Sequence, residues 1–322
     1  MAKATLQAAS KSQMDEFYTR LSDIESEIRY YRDFFRGKTV LCNCDDCRVS
    51  NFSVYFVLNF EALGLKRLST TCYKNNQPDL FSNNDCERAV YAIYDGDPKC
   101  QTIEDARKIR YQEFEHSNGD FRSPECVALL READVVVTNP PFSLWREYVA
   151  LLMKYEKKFL ILGNTNAATY KEIFPYIKEN KLWVGVTNYN VGMFFGMPDY
   201  AEKYHHIDEN GHKIGRVSTA CWWTNIDNKR RNEEVVLFKT YSPEVYPKYD
   251  NYDAIECSNY VDIPMDYDGV IGVPITFLGH YNPKQFEIVG QMANTHVDKN
   301  NHGYPFINGV RKYARLLIRR IR

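Results

Sequence analysis

The stretch Asp134-Val135-Val136-Val137-Thr138-Asn139-Pro140-Pro141-Phe142 is the most informative part of the chain. Its four β-branched residues, Val135 to Thr138, predict a strand buried on both faces of a parallel sheet. The two prolines then break the strand, since neither has an N–H and each restricts the residue before it. Ser143 is the predicted N-cap of a helix over residues 144–155. The corner therefore lies at the carboxyl end of a central strand, where open α/β sheets bind ligands.

The residues of this corner suit chemistry on an exocyclic amine such as N6 of adenine. That nitrogen is a poor nucleophile because its lone pair is delocalised into the ring. The Asn139 side-chain oxygen and the Pro140 carbonyl would accept its two hydrogens and free the lone pair, while Phe142 stacks on the ring. Such a reaction needs positioning and electrostatics and no titrating base. The alternative is an ordinary loop, because Asn-Pro and Pro-Pro are common turn dipeptides; the flanking strand and helix favour the catalytic interpretation.

Several longer strings carry a resemblance to a known family. Asn-Pro-Pro-Phe looks like motif IV of the amino-methyltransferases that use S-adenosylmethionine. The other strings are Asp15-Glu-Phe-Tyr-Thr19, Cys42-Asn-Cys-Asp-Asp46, Arg48-Val-Ser-Asn-Phe52, Gly119-Asp-Phe-Arg-Ser123, Tyr246-Pro-Lys-Tyr-Asp-Asn-Tyr-Asp253 and Gly272-Val-Pro-Ile-Thr-Phe-Leu278. Together they resemble the EcoRI-like family of adenine-specific DNA methyltransferases, in order, from about residue 11 to the C-terminus. The motif order also resembles the γ arrangement of amino-methyltransferases.

The resemblance implies S-adenosylmethionine as cofactor and assigns residues to it. The string that contains Tyr18 and Thr19 is expected to cover the methionine end of the cofactor. Asp120 is expected to accept a hydrogen bond from the cofactor's adenine amino group, and Phe121 to pack on that ring. The implied catalytic set is Asn139, Pro140, Pro141 and Phe142, with Asn139 also close to the cofactor.

The predicted first strand, residues 38–42, leads into a turn that contains no glycine. Methyltransferases generally have Gly-x-Gly at this place, so the expected cofactor contacts here are Cys42, Asn43, Asp45 and Asp46. The two aspartates alternatively cap the following helix, predicted over residues 48–63. Tyr73 follows the second strand, residues 67–72, at the place where most relatives carry a ribose-binding acid. No metal is expected, because the Cys44-x-x-Cys47 pair has no partner pair at metal spacing.

The remaining pattern predicts a doubly wound sheet, since strands and helices alternate. We expect a helix at 15–35, a hairpin of strands 88–94 and 106–114, a helix at 124–131 and a strand at 159–162. These elements are followed by a helix at 167–180, a strand at 182–186 and a loop at 188–198. An antiparallel pair of strands, 219–226 with 233–239, comes last. The resemblance specifies a Rossmann-like doubly wound mixed sheet of the class I methyltransferases. Trp222 or Trp223 either lines the target pocket or packs in the core.

The predicted domains are a mobile N-terminal tail at 1–14, a catalytic domain at 15–240 and a smaller, irregular target-recognition lobe at 241–322. Hydrophobic periodicity is lost after residue 241. Residues 311–322 contain six basic and no acidic residues, which predicts either an edge strand with solvated arginines or contacts to DNA phosphates. The expected DNA contacts are Lys11, Asn190, Lys284, Arg311, Lys312 and Arg315.

Bulk properties exclude some classes of protein. The net charge of the 322 residues is -1, so any surface that binds nucleic acid is local. Neither a membrane span nor a signal peptide is visible. Nine cysteines, an odd number, favour reduced thiols and a cytoplasmic setting. The resemblance implies that the cytoplasm is that of a bacterial or phage-infected cell.

The resulting hypothesis is a site-specific adenine N6-methyltransferase that acts on double-stranded DNA after rotating its target base out of the stack. The resemblance further suggests a monomer, GAATTC as the recognition site, and a cognate restriction endonuclease that acts on the same sequence. Two alternatives stay open. Proteins with the same tetrapeptide also modify RNA bases or protein glutamines, and the missing glycines leave room for a non-catalytic DNA-binding protein on the same fold.

Overall fold

The computed structural model describes residues 18–44, 46–73, 89–197 and 201–321. The described residues form two compact units. The first runs to Asn164 and also contains Asn190–Ile226, and the second contains Thr165–Tyr189 and the chain from Asp227 onward. The chain therefore passes from one unit to the other after Asn164, Tyr189 and Ile226, and the functional domains at 15–240 and 241–322 stay a prediction. The predicted tail, residues 1–14, lies outside the described residues.

The strands are β1 Tyr18–Thr19, β2 Thr39–Cys42, β3 Arg67–Cys72, β4 Val90–Tyr94, β5 Gln112–Glu113, β6 Val135–Thr138, β7 Lys158–Asn164, β8 Trp183–Val184, β9 Met193–Gly196, β10 His206–Ile207, β11 Lys213–Val217, β12 Ala220–Thr224, β13 Ile255–Glu256, β14 Ile271–Pro274, β15 Phe286–Met292, β16 Phe306–Ile307, β17 Val310–Arg311 and β18 Arg315–Arg320. The α-helices are α1 Leu21–Ile28, α2 Arg32–Phe35, α3 Asn51–Leu58, α4 Phe60–Leu63, α5 Ile103–Arg107, α6 Pro124–Glu132, α7 Trp145–Lys154 and α8 Phe174–Lys178. Short 3₁₀ helices lie at Arg29–Tyr31, Thr165–Thr169, Arg230–Asn232, Tyr260–Asp262 and Ile275–His280.

The first unit is built on a large mixed sheet, so the chain is a mixed α/β protein. Within this unit the strands run in the order β5-β4-β3-β2-β6-β7-β12. The pairs β2–β3, β2–β6 and β6–β7 are parallel, and the flanking pairs β3–β4 and β7–β12 are antiparallel. All four residues of β6 are buried, as its β-branched run predicted. The carboxyl ends of the parallel strands therefore share one edge of the sheet.

Two adjacent tryptophans on β12 show that helices cover both faces of this sheet. Trp222 and Trp223 are fully buried and, as neighbours on a strand, point to opposite faces. The Trp222 ring lies 6.0 Å from the ring of Phe52 on α3, and the Trp223 ring lies 5.7 Å from that of Trp145 on α7. Both tryptophans are core residues, so neither lines a target pocket.

A second, antiparallel sheet of the first unit runs in the order β1-β9-β11-β10. Thr19 of β1 pairs with Phe195 of β9. The predicted helix at 15–35 therefore begins only at Leu21, and the predicted loop at 188–198 contains a strand. Both predictions were wrong in part because the pairing joins segments far apart in the sequence, which no local pattern reveals.

Three further predictions need correction. The hairpin of β4 and β5 forms, but Ala106 lies in α5, whose start is fixed by a capping box between Thr102 and Asp105. The predicted helix at 167–180 is a 3₁₀ helix followed by the short α8. Residues 233–239 form no strand beside β12. The Gln285 side chain instead bonds both backbone groups of Val235, at 2.8 and 2.7 Å.

The second unit contains a four-stranded sheet in the order β13-β14-β18-β15. The first four residues of β18 are buried, and β18 pairs with β14 on one side and β15 on the other. The C-terminal basic segment is therefore a central strand and not the edge strand expected from its arginines. β16 and β17 form a separate antiparallel pair. This part of the chain is more regular than its composition predicted.

Candidate active site

The Asn-Pro-Pro-Phe corner follows directly on β6. Asn139 is 9% exposed, Pro140 is buried, and Pro141 and Phe142 are half-buried. The corner is closed by the Leu144 N–H, which donates to the Pro141 carbonyl at 3.0 Å. Within the described part of the chain, no hydrogen bond reaches the Pro140 carbonyl oxygen. The turn therefore uses the carbonyl of the second proline, and no described residue donates to the carbonyl of the first.

The helix after the corner starts without the predicted cap. α7 begins at Trp145 with Leu144 at the N-cap, and no side chain caps it. The prediction of Ser143 as the cap was wrong, because Ser143 lies within the Pro141–Leu144 turn and the N-cap is one residue later, at Leu144. α7 is held instead by the Trp145 indole N–H, which donates to the Leu162 carbonyl of β7 at 2.8 Å.

The loop after β2 is hydrogen-bonded to the end of β6. The Cys44 N–H donates to the hydroxyl of Thr138, the last residue of β6, at 3.2 Å. The Tyr148 hydroxyl on α7 donates to the Asn43 side-chain oxygen. Burial raises the pKa of Tyr148 well above its ordinary value, so the hydroxyl keeps its proton and remains a donor. Asn43 and Asn139 are thus brought to the same edge, although the Asn43 side chain is committed to Tyr148.

A close backbone contact brings Asp120 and Phe121 to this edge as well. Gly119 has φ +80° and lies so near the end of β3 that a Cβ would be 2.2 Å from the Cys72 carbonyl oxygen. Only glycine fits this conformation and this approach. Phe121 is 7% exposed, and its ring lies edge-to-face with that of Tyr148 at 5.1 Å. The ends of β3, β2 and β6 therefore meet around these residues.

The Asp120 carboxylate is held ionised by its neighbour. Arg122 donates to it through Nη2 at 2.7 Å, through Nε at 2.9 Å and through the backbone N–H at 2.8 Å. Hydrogen bonds from this guanidinium lower the pKa of Asp120. Arg122 also contacts Glu147 at 3.0 Å. A carboxylate has about four lone-pair sites, so Asp120 can still accept a hydrogen bond from a ligand.

Thr19 has the burial and chemistry of a ligand contact. It is 2% exposed, and its carbonyl accepts from Asn51 Nδ2 at 2.7 Å. Its hydroxyl is buried, with no hydrogen-bond partner among the residues described. A buried polar group of this kind calls for a partner such as a ligand or a water. For Tyr18 only the backbone is described, paired with Gly196.

The other residues predicted around the cofactor are placed differently. The Asp46 carboxylate accepts from the Arg48 guanidinium at 3.1 and 2.9 Å, and Ser50, not Asp46, caps α3. Cys42 is buried, and Tyr73 is 47% exposed at the end of β3. Asp45 lies outside the described residues.

Sequence reasoning missed Thr138, Tyr148 and Arg122, which organise this edge. Tyr148 lies one turn after Trp145 on the buried face of α7, and such helical spacing indicates only a core residue. Arg122 is two residues from Asp120, but its pairing with that carboxylate depends on the turn at Gly119. These roles follow from contacts between elements and leave no local signature.

The residues predicted to contact DNA fall into two groups. Asn190 and Lys284 are exposed, and the exposed Arg311 places its guanidinium 3.4 Å from the Tyr304 ring centroid. Lys312 is half-buried. Arg315 is buried, and its Nη2 lies 2.6 Å from Glu256 Oε1. A guanidinium held in that ion pair is not available to a phosphate, so we withdraw Arg315; Lys11 lies outside the described residues.

Within the described ranges we find neither a metal site nor a membrane-spanning helix. No group of three or more His, Cys, Asp or Glu side chains within them is arranged to hold a metal ion. None of the helices found in these ranges is long and apolar enough to cross a membrane.

Comparisons with known proteins identify the family of this chain. The family model described as adenine-specific methyltransferase EcoRI matches residues 5–321. The chain belongs to this family. It is 45% identical to the type II methyltransferase M.EcoRI of Escherichia coli, over 98% of this chain and 95% of that protein. It is 36% identical to the type II methyltransferase M.MgeORF184P of Mycoplasma genitalium, over 97% of this chain and 97% of that protein. It is 35% identical to the type II methyltransferase M.MpnI of Mycoplasma pneumoniae, over 97% of this chain and 96% of that protein. No solved structure matches the chain.

Membership of the EcoRI methyltransferase family identifies the chain as an adenine-specific DNA methyltransferase. Its substrate is double-stranded DNA, and the reaction requires a methyl donor. The candidate corner lies inside the matched region, which extends over nearly the whole chain.

Proposed function

We propose that this methyltransferase transfers the methyl group of S-adenosylmethionine to N6 of an adenine that has been rotated out of duplex DNA. The observation that carries the proposal is the proline-locked corner after β6. There the buried Asn139 side chain and the Pro140 carbonyl lie at the carboxyl edge of the parallel strands. No described residue donates a hydrogen bond to the Pro140 carbonyl. Two acceptors at such a corner suit the two hydrogens of an amine.

The residues around the corner fit S-adenosylmethionine. The Thr19 hydroxyl is buried without a partner among the described residues, and the ionised Asp120 can accept from the cofactor's adenine amino group. Phe121 packs beside it, and Cys42 at the end of β2 and Asn43 directly after it lie at the same edge. When bound, S-adenosylmethionine supplies a methyl group activated by a sulfonium.

The catalytic residues act by holding the substrate amine. Asn139 and Pro140 accept its two hydrogens and favour a pyramidal nitrogen whose lone pair points at the methyl carbon, while Phe142 stacks on the adenine ring. With the donor bound, the nitrogen would accept the methyl group as the sulfur–methyl bond breaks, S-adenosylhomocysteine would leave as the neutral thioether, and the nitrogen would then lose one proton to solvent. Rotating the adenine out of the stack costs roughly a few kcal/mol, which contacts to the DNA must offset.

We also infer the finer architecture. The order β3-β2-β6-β7 with α3 and α7 on opposite faces supports a Rossmann-like doubly wound sheet. The exposed Lys284 and Arg311 support a role for the second unit in target recognition. The relatives are named type II methyltransferases, which supports a cognate endonuclease for the same site, with GAATTC as the first sequence to test.

A transfer assay with tritiated methyl donor tests this proposal. Duplex DNA, structured RNA and a glutamine-rich protein are incubated with the enzyme, and nucleosides are separated after digestion. We expect label in N6-methyladenine from duplex DNA alone. Label in RNA or protein would overturn the substrate, and label in none of the three would favour the non-catalytic alternative. Sequencing of methylated bases in cells that express the chain then identifies the recognition site.

A further inference from the structure

The 190–192 turn, immediately before β9, presents an exposed apolar side chain at its tip. Asn190 and Gly192 have left-handed backbones, with φ of 64° and 80°. Glycine adopts this conformation freely, and asparagine tolerates it better than most residues. Val191 between them is 64% exposed, and its branched side chain has few rotamers. The tip therefore offers a stiff apolar group beside the exposed amide of Asn190.

Contacts with β11 hold this turn in place. Gly192 lies so close to the end of β11 that a Cβ would be 2.6 Å from the Cα of Ser218. Arg216 Nη2 donates to the Val191 carbonyl at 3.1 Å, and the same guanidinium lies 5.9 Å from the Phe194 ring centroid. The tip is thus shaped before a ligand arrives, which reduces the entropy lost when it binds.

The same contacts place the turn at the edge that carries the catalytic corner. Ser218 leads to Thr219, whose hydroxyl accepts from Asn164 Nδ2 at the end of β7, at 2.9 Å. Asn164 lies three residues beyond Ile161, the residue of β7 that pairs with Thr138. A strand rises about 3.3 Å per residue. Asn164, which holds Thr219 and so supports the turn, therefore lies about 10 Å farther along the strand direction than Thr138, the last residue of β6.

We propose that Val191 enters the DNA duplex as a wedge and occupies the space that the target adenine leaves when it rotates out toward the Asn-Pro-Pro-Phe corner. This inference rests on the proposed function. The vacated space lies between the apolar faces of two base pairs, and burial of an apolar side chain there stabilises the extruded state. The Asn190 amide, a donor and an acceptor, faces the unpaired thymine, and Arg216 brings a positive charge to the neighbouring phosphates.

A single exposed valine carries no such meaning by itself, since isolated apolar residues are common on protein surfaces. Val191 differs because it stands on a braced turn, beside an arginine, at the catalytic edge. Val245 provides the matched comparison. It is 67% exposed and lies in the second unit, outside every contact proposed here.

The test compares methylation of two duplexes that carry the recognition site. In one the target adenine is paired with thymine, and in the other it faces an abasic position, so that no base pair must be broken. We expect Val191→Ala to slow methylation of the paired duplex about tenfold, the effect of losing roughly two buried methyl groups. On the abasic duplex its rate should stay within about twofold of that of the unmodified protein, and Val191→Ile should restore the rate on the paired duplex.

Fluorescence of 2-aminopurine at the target position reports the extrusion step directly. Its rise on binding should be smaller with Val191→Ala, while Val245→Ala should match the unmodified protein in both assays. Equal rates for Val191→Ala and the unmodified protein on the paired duplex would overturn the inference, as would an equal loss on both duplexes. If the unmodified protein methylates neither duplex, the proposed function falls and the inference falls with it.

Discussion

Asn139 carries the strongest prediction about a single side chain. Asn139→Ala removes one of the two acceptors for the substrate amine, and the loss of one preorganised hydrogen-bonding group lowers kcat by about a hundredfold. The affinity for S-adenosylmethionine should remain within a few-fold, because Thr19 and Asp120 are unchanged. Transfer of tritiated methyl to duplex DNA measures the first quantity, and calorimetric titration of the cofactor measures the second.

Asn139→Asp is the matched control, since it keeps an acceptor oxygen at nearly the same position. We expect it to retain more activity than the alanine variant. Unchanged turnover in Asn139→Ala would refute the proposed role of this residue.

The place of the Asn-Pro-Pro-Phe corner after a buried strand could be predicted from sequence, because the strand and the corner are consecutive in the chain; its catalytic role stays a prediction. Asp46 and Arg315 could not, since each is committed to an ion pair that depends on the fold. Arg315 meets a carboxylate 59 residues away. A basic run shows where positive charge is available, but it does not show which charges the protein uses internally.

Among the secondary-structure elements, β18 combines a buried charge with a central position in its sheet. The Arg315 guanidinium bonds Glu256 through Nε at 3.0 Å and Nη2 at 2.6 Å, and the Ser258 hydroxyl donates to the same carboxylate at 2.9 Å. The Tyr249 hydroxyl donates to it as well. The pair joins β18 to β13 across the sheet, so its loss leaves an uncompensated charge in a buried place.

Glu256→Gln is therefore expected to destabilise the protein by about 3 kcal/mol. Arg319→Ala on the same strand is the control, since its pair with Glu287 is about half exposed and contributes less than about 1 kcal/mol. Urea unfolding followed by circular dichroism compares the two. Equal losses of stability would contradict the role assigned to the buried pair.

The same pair predicts how stability depends on pH. Burial by itself would raise the pKa of Glu256, but hydrogen bonds from Arg315 and Tyr249 outweigh it and lower the pKa below the ordinary 4.5. A lowered pKa in the folded state stabilises the protein above the unfolded value, and this contribution is lost as the pH falls through the folded value. The difference in stability between Glu256→Gln and the unmodified protein should therefore shrink below about pH 4.

Elements were predictable where one local pattern sufficed. The short buried strands β2, β3 and β6 and the Pro124 start of α6 are such cases. β1 was not, because Thr19 becomes a strand only by pairing with Phe195. Residues 233–239 have the pattern of a strand, yet a Gln285 side chain takes the backbone bonds that a neighbouring strand would supply.

For the molecule as a whole, charge sets the conditions for binding DNA. A net charge of -1 gives no general attraction to a polyanion, so affinity must come from a few exposed cations. Each phosphate contact releases about one counterion, which makes affinity fall with salt. Arg311 is the best such candidate in the second unit, because it is exposed and its side chain is oriented by the Tyr304 ring.

Arg311→Ala is expected to weaken DNA binding at low salt and to reduce the slope of log Kd against log salt concentration by about one. Lys284→Ala should act in the same way, and the turnover at saturating DNA should not change, since neither residue belongs to the catalytic edge. Arg319→Ala is the control, because its guanidinium is paired with Glu287 at 2.8 Å. Fluorescence anisotropy of labelled duplex DNA at four or more salt concentrations measures the slopes. If Arg311→Ala and Arg319→Ala give the same slope as the unmodified protein, the DNA is held by other residues and the second unit needs another role.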